Sequence, residues 1–131
     1  MAELPEAAIR MLRGRNLVYL ATVNEDGSPH VAPTWVDVDT ERGLVLINTA
    51  EGRQKVRNIR RDPRVAVAAH EQEDPWPPLI VRGTATITTD GAERHIDVLC
   101  RKYNDEPWEP VDGQVRLILQ IRPDRVSFPE D

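Results

Sequence analysis

Three β-type segments near the N-terminus are joined by turns that are too short to contain a crossover helix. The segments are residues 17–24, 30–38 and 44–49, and the turns between them are residues 25–28 and 39–43. The first turn has an Asp-Gly pair at its centre, which is typical of a β-hairpin. Because the strands do not alternate with helices, the pattern argues against a parallel sheet.

The rest of the chain continues this pattern of short strands and few helices. Further strands are predicted at residues 64–70, 79–88 and 114–122, with a short terminal strand at 125–128. Short helices are predicted at residues 4–14, 53–61 and 91–103. Residues 114–122 alternate most clearly and place Val115, Leu117, Leu119 and Ile121 on one side. The sequence therefore predicts a mainly β fold with short α-helices, closed as an antiparallel barrel.

Local signals refine these boundaries. Gly83 lies inside a predicted strand and indicates a bulge or a close backbone approach. Asp90 and Glu93 form a predicted capping pair at the start of the third helix. Residues 71–78 contain three prolines in four positions and are predicted to form a loop.

Length and charge limit the classes of function. With 131 residues, the chain is expected to form one domain, residues 1–131. Its net charge of −5 argues against binding to nucleic acid or to an anionic membrane. We find no signal peptide or membrane span, and the single cysteine, Cys100, cannot form an internal disulfide. We therefore expect a cytoplasmic protein.

One segment concentrates positive charge within this acidic chain. Its five basic residues, with no acid among them, are Arg53, Lys55, Arg57, Arg60 and Arg61. They follow the polar end of a predicted strand, Asn48-Thr49, and begin a predicted helix. A helix N-terminus presents free N–H groups to an anion, and a neighbouring hydroxyl and cations would add to it. The segment is a candidate phosphate site, and a solvated basic helix face is the alternative.

Other candidate residues are dispersed. Trp76-Pro77-Pro78 could stack on a flat ring, dock on a partner or close one end of the barrel. Trp108 could line a substrate pocket or pack locally. His30 could face a ligand, whereas His95 is expected to be structural. The histidines lack the spacing of a zinc site, so we expect no metal.

The motif Arg-x-Lys-x-x-Asn-Ile-Arg-x-Asp-Pro-Arg over residues 53–64 resembles the split β-barrel superfamily named for pyridoxamine 5′-phosphate oxidase. The similarity covers almost the whole chain, from about Leu17 to Val126, and includes the hairpin that ends at Val36, the Trp/Pro loop and the strand that ends at Thr88. Within this superfamily, the chain most resembles the branch that uses the deazaflavin coenzyme F420. The resemblance implies a split, antiparallel, FMN-binding-like barrel that forms a homodimer.

This resemblance also implies roles for individual residues. Arg53 and Lys55 would bind the cofactor phosphate, Asn48 and Thr49 would line the site, and Asn58 would support it. Arg57, Arg60 and Arg61 would be surface charges or contacts to the acidic tail of the cofactor. Trp76, Pro77 and Pro78 would reach the cofactor held mainly by the other subunit, so the site would lie at the homodimer interface.

The function implied by the resemblance is an F420-dependent oxidoreductase that transfers a hydride to a small, electron-poor organic acceptor. No catalytic acid can be named from the sequence. One alternative is an FMN-binding oxidoreductase of the same fold, and another is a non-enzymatic carrier of F420. A dimeric scaffold without a cofactor would leave the basic helix start unexplained.

Overall fold

A computed structural model describes residues 1–128, so the last three residues of the predicted domain lie outside the described part. The helices are α1 (Glu6–Arg13), α2 (Gln54–Arg61) and α3 (Ala92–Asn104). The strands are β1 (Val18–Val23), β2 (Pro29–Thr34), β3 (Asp37–Asp39), β4 (Leu44–Ala50), β5 (Arg64–Ala69), β6 (Leu79–Thr88) and β7 (Arg116–Ser127). No helix within residues 1–128 is long and apolar enough to cross a bilayer.

All seven strands form one antiparallel sheet in the order β2-β1-β5-β6-β7-β4-β3. Strands β2 and β3 are its opposite edges, yet only Trp35 and Val36 separate them in the chain. The sheet must therefore curl until its two edges approach each other. This topology is the predicted split antiparallel barrel, and the mainly β class with short helices is confirmed.

The prediction of one strand over residues 30–38 is wrong. The chain leaves the β1 edge after Thr34 and joins the β4 edge at Asp37, and Val36 is fully buried at the crossing. Val36 at the crossing and Val38 in β3 are both buried, so the alternation of a continuous strand is preserved across the break. The sequence pattern therefore hides the break.

The C-terminal strand also differs from its prediction. Strand β7 is continuous from Arg116 to Ser127 and joins most of the two predicted segments, 114–122 and 125–128, with Pro123 inside it. Val115 lies outside the strand and is exposed, so it does not share the buried side with Leu117. Pro123 is tolerated because the register against β6 shifts between Arg82 and Gly83.

Gly83 occupies the predicted bulge. A Cβ atom at this position would lie 2.4 Å from the carbonyl oxygen of Arg122 and 2.9 Å from Ile121 Cγ2. The two backbones can approach this closely only because residue 83 has no side chain. The predicted bulge and close approach are both confirmed.

The predicted capping pair at α3 is absent. Gly91 precedes the helix, and no side chain caps its N-terminus. The Asp90 amide instead donates to Thr88 Oγ1 at 3.1 Å. Asp90 therefore belongs to the turn after β6, and its carboxylate does not cap α3.

The core lies inside the curled sheet and beneath α1. Its members are buried side chains of the strands and helices, including Met11, Leu12, Val18, Leu20, Val36, Ile47, Val67, Val81, Leu119 and Ile121. Helix α2 buries Val56 and Ile59, and α3 buries Ile96 and Leu99. These contacts fix the two helices that border the site described below.

The outer side of the sheet carries an exposed apolar row. Pro33, Tyr19, Ala68 and Ile80 lie directly opposite one another across β2, β1, β5 and β6. All four are exposed, and Tyr19 and Ile80 retain 41% and 44% of their accessible surface. We call these four residues the apolar row.

Candidate functional site

A cleft of about 380 Å³ opens where β2 ends, between the start of α2, helix α3 and the beginning of β7. Its lining residues are Pro33, Thr34, Trp35, Asn48, Thr49, Arg53, Lys55, Ile96, Cys100, Trp108 and Arg116. One end is cationic and the other is aromatic and apolar. The cleft is therefore suited to an anion attached to a flat apolar group.

Arg53, Lys55 and Arg116 form the cationic end of the cleft. Burial lowers the pKa of Lys55, and repulsion by Arg53 and Arg116 lowers it further. Burial, followed by repulsion from Arg53, also lowers the pKa of Arg116. No acidic residue is among the described residues that line the cleft. Three cations that repel one another without a carboxylate between them favour a bound anion.

Thr49 supplies a hydroxyl to the same end. Its side chain is 2% exposed, and Oγ1 has no hydrogen-bond partner within residues 1–128. A buried hydroxyl without a partner costs free energy. A phosphate oxygen could accept its hydrogen, so these residues fit the phosphate of a cofactor.

The turn between β4 and α2 brings these residues together. Gly52 has φ +91°, a left-handed conformation that favours glycine, and it connects Ala50 to the helix start at Arg53. Strand β4 pairs with β7 so that Ala50 lies opposite Arg116. This pairing carries Arg116 to the cluster from a position far along the chain.

Arg116 was missed by the sequence interpretation. Its side chain is held by Asn48, whose Oδ1 accepts from Arg116 Nε at 2.9 Å. The alternation of residues 114–122 places Arg116 on the polar side of a strand, and this was the sequence signal that could have identified it as a site residue. That pattern alone could not reveal which strand lies beside it.

Asn58 does not line the cleft. It is fully buried, and its Nδ2 donates to Thr22 Oγ1 at 3.0 Å and to Asn24 Oδ1 at 2.9 Å. Its Oδ1 accepts from Gln54 Nε2 at 2.9 Å. These bonds fasten α2 to the end of β1, so the contribution of Asn58 to the cleft is to hold the helix that carries Lys55.

The aromatic end is formed by Trp35, Trp108, Ile96 and Cys100. The ring of Trp35 stacks on Tyr103, with centroids 5.1 Å apart and planes within 4° of parallel. Trp108 is held through its backbone, because its N–H donates to Asp97 Oδ1 at 2.9 Å. Trp108 thus lines the cleft, as one of the two interpretations allowed.

Helix α3 also fixes the Trp35 side of the cleft. Tyr103 OH donates to the Asn16 carbonyl at 2.7 Å and accepts from the Val36 amide at 3.1 Å. Lys102 Nζ donates to the carbonyls of Leu12 and Val36 at 2.8 and 2.7 Å. Burial lowers the pKa of Lys102 to about 8. The two-residue joint between β2 and β3, Trp35 and Val36, is thus hydrogen-bonded to α3, and α3 is hydrogen-bonded to α1.

The remaining candidates lie elsewhere in the monomer. His30 borders a separate shallow depression with Asn24, Asp26 and Gln54. Trp76, Pro77 and Pro78 belong to the loop between β5 and β6 and are not among the cleft residues; Trp76 is 57% exposed.

The other basic residues of α2 make local contacts. Arg60 pairs with Glu51, with Nη1 2.7 Å from Oε2. Arg57 Nη2 donates to Gln54 Oε1 at 2.7 Å, and Arg61 donates to the Val23 carbonyl. Within the single chain these arginines make surface contacts, which agrees with the expectation that they are surface charges.

The sequence was also compared with known proteins. A 5a,11a-dehydrotetracycline/5a,11a-dehydrooxytetracycline reductase from Streptomyces rimosus is 34% identical over 93 residues, which are 66% of this chain and 66% of the relative. An F420H(2)-dependent biliverdin reductase from Mycobacterium tuberculosis is 27% identical over 124 residues, 94% of this chain and 86% of the relative.

Solved structures agree with this relationship. The structure of an F420 reductase has a TM-score of 0.82 and 32% identity, covering 95% of this chain and 98% of that protein. General Stress Protein 26 from Bacillus anthracis shares the fold, with a TM-score of 0.69, 21% identity and coverage of 91% and 88%. The family model described as pyridoxamine 5′-phosphate oxidase matches residues 4–128. The chain therefore belongs to the pyridoxamine 5′-phosphate oxidase family.

Proposed function

We propose that this protein is an F420-dependent oxidoreductase that reduces a small, electron-poor organic acceptor by hydride transfer. The observation that carries the proposal is the cationic end of the cleft, where three cations and an unpartnered Thr49 hydroxyl lie together without an acid. The relative named as an F420H(2)-dependent biliverdin reductase and the solved structure named as an F420 reductase support the choice of cofactor. When bound, the deazaflavin would supply the hydride.

The residues of the chain would bind and orient this cofactor. Arg53, Lys55, Arg116 and Thr49 would hold the phosphate. Trp35 and Trp108 would form an apolar wall beside the ring and limit the access of water to it. Asn48 would act indirectly by holding Arg116. The protein would thus contribute binding, orientation and a partly dry surface.

FMN is the alternative cofactor, because its phosphate would suit the same cations and its ring the same aromatic wall. A carrier that binds F420 without turnover is the alternative from another class. Titration of the purified protein with F420 and with FMN, followed by fluorescence, separates the two cofactors. We expect tighter binding of F420, and a preference for FMN would contradict the proposal.

Turnover is tested separately. The reduced cofactor is mixed with the protein and a panel of electron-poor acceptors, and its oxidation is followed by absorbance. We expect the protein to accelerate oxidation by at least one acceptor. Binding of the reduced cofactor without acceleration by any acceptor would identify a carrier.

We also propose that the protein is a homodimer with the cofactor at the subunit interface. The apolar row leaves contiguous apolar surface exposed across four strands, which is typical of an interaction site. Pro33 belongs both to this row and to the cleft lining. A second copy on the row would therefore border the cleft, and its Trp76, Pro77 and Pro78 could reach the cofactor.

Light scattering tests the assembly. We expect a mass near twice 14.9 kDa, and we expect Tyr19→Asp with Ile80→Asp to halve it. Val98→Asp is the control, because Val98 is equally exposed on α3 but lies outside the row. Trp76→Ala should weaken cofactor binding while the dimer persists. A monomer that binds the cofactor at full affinity would contradict the shared site.

A further inference from the structure

The amide of Asn48 has only one possible orientation. Its side chain is buried, its Oδ1 accepts from Arg116 Nε at 2.9 Å, and its Nδ2 donates to the Ala92 carbonyl at 2.8 Å. A guanidinium can only donate and a carbonyl can only accept. Rotating the amide by half a turn would break both bonds.

This orientation determines the tautomer of His95. The ring atom Nδ1 lies 3.1 Å from the same Asn48 Nδ2. Because an amide nitrogen offers only hydrogens, Nδ1 must be the acceptor, and neutral His95 carries its proton on Nε2. Nε2 is buried and forms no hydrogen bond within residues 1–128, and the carboxylate that faces it is that of Asp37, whose Oδ2 is 3.5 Å away. The carboxylate of Asp37 is itself fixed by the Val38 amide at 2.8 Å.

The chain of contacts ends at the cationic end of the cleft. Arg116 Nε is held by Asn48, and Nη1 donates to Gln114 Oε1 at 3.1 Å. Nη2 has no hydrogen-bond partner within the described residues. His95 and Asp37 do not line the cleft themselves. They can therefore influence an anion there only through Asn48 and Arg116.

We propose that Asp37 and His95 are positioning residues that lock the Asn48 amide and thereby aim the Arg116 guanidinium at the phosphate of the bound cofactor. The inference rests on the proposed function for the identity of the anion. The hydrogen bonds that orient Arg116 are made to Asn48 and Gln114 of this chain. A structural histidine, as expected from the sequence, would stabilise the fold but would have no selective effect on phosphate.

The first experiment observes the guanidinium without a cofactor. In ¹H–¹⁵N NMR spectra, the Arg116 Nε–H signal is identified by its loss in Arg116→Met. We expect His95→Leu, which removes the acceptor, to shift and broaden this signal. His95→Asn should retain it, because the asparagine carbonyl oxygen occupies the place of Nδ1. An unchanged signal in His95→Leu would overturn the proposal.

The second experiment measures the effect on phosphate. F420 and the phosphate-free deazaflavin chromophore are titrated into each variant. We expect His95→Leu to weaken F420 binding by about threefold to tenfold, with the phosphate-free chromophore unaffected and with recovery in His95→Asn. In the Arg116→Met background, His95→Leu should have no further effect. Equal losses for both ligands, or additive losses in the double variant, would overturn the proposal.

These experiments separate two kinds of failure. If the wild-type protein binds no F420, the proposed function fails, and the NMR comparison still decides whether His95 orients Arg116. If the wild type binds F420 and His95→Leu binds it equally well, only the positioning role fails. Asp37→Asn provides a second, milder variant, expected to move the Arg116 signal in the same direction if His95→Leu does not fold.

Discussion

The cationic and aromatic ends of the cleft are held in different ways. Side-chain amides hold the cationic end: Asn58 fastens α2 to β1, and Asn48 fixes Arg116. Backbone contacts hold the aromatic end, since Lys102 and Tyr103 bond the main chain near Trp35 and Asp97 bonds the Trp108 amide. The positions of the cations therefore depend on a few buried side-chain amides. The positions of the two tryptophans depend on main-chain contacts between α3 and the segments that carry them.

The largest effect on stability is expected at Asn58, within the support of the cationic end. Asn58→Ala would remove four hydrogen bonds and leave the buried Thr22 hydroxyl without its partner. We expect a loss of about 2–4 kcal/mol in the free energy of unfolding, measured by urea denaturation. Asn104→Ala, at the exposed end of α3, is the control. A loss below about 0.5 kcal/mol would show that side-chain amides do not hold this end.

Replacing Lys55 should change the affinity for F420 without lowering the stability of the fold. Lys55→Met should weaken F420 binding by about tenfold to a hundredfold through the loss of a charge-assisted contact. Without ligand, the variant should be as stable as the wild type or more stable, because burial and neighbouring cations disfavour the charge. Calorimetry and fluorescence titration measure the two effects, with Arg57→Met as the surface control. Unchanged affinity would remove Lys55 from the proposed phosphate site.

Trp108 tests the aromatic end alone. Trp108→Ala should weaken F420 and the phosphate-free chromophore by the same factor, about twofold to tenfold, because it removes stacking and leaves the cations in place. Titration of both ligands gives the two factors. A loss confined to F420 would mean that Trp108 acts on the phosphate, and the division of the cleft into two ends would be wrong.

The smallest effect is expected for the pH dependence of stability at Lys102. Burial lowers its pKa from the ordinary 10.5 to about 8 in the folded protein, so the unfolded chain binds more protons between these pH values. The wild type should therefore gain stability relative to Lys102→Met as pH rises from 8 to 10, by an amount on the order of 1 kcal/mol. Denaturation at several pH values tests this, and a difference independent of pH would contradict it.

Site residues that lie close together in the sequence could be grouped from the sequence, and those that lie far apart could not. Asn48, Thr49, Arg53 and Lys55 lie within one short segment, so a strand end, a turn and a helix start were enough to group them. Arg116 joins them only through the pairing of β4 with β7. Periodicity identifies a strand but does not specify its neighbour.

The same limit explains the wrong boundary at residues 30–38. Val36 is buried where the chain passes from one sheet edge to the other, and Val38 is buried two residues later, so the alternation continues across the break. His30 was a candidate because it follows the hairpin turn, and Trp76 was assigned to the cofactor by resemblance; neither residue lines the cleft of the single chain. Both roles remain predictions, and the role of Trp76 depends on a second subunit.

The two-residue joint between β2 and β3 has a consequence for evolution. Trp35 belongs both to the cleft and to the connection that lets the barrel close, so a change there alters ligand contacts and folding together. Trp108 lies on a connecting segment and is attached by a backbone bond that most residue types can make. Divergence in acceptor range is therefore expected to accumulate around position 108, while position 35 resists substitution. A library randomised at both positions should recover folded variants mainly with changes at 108.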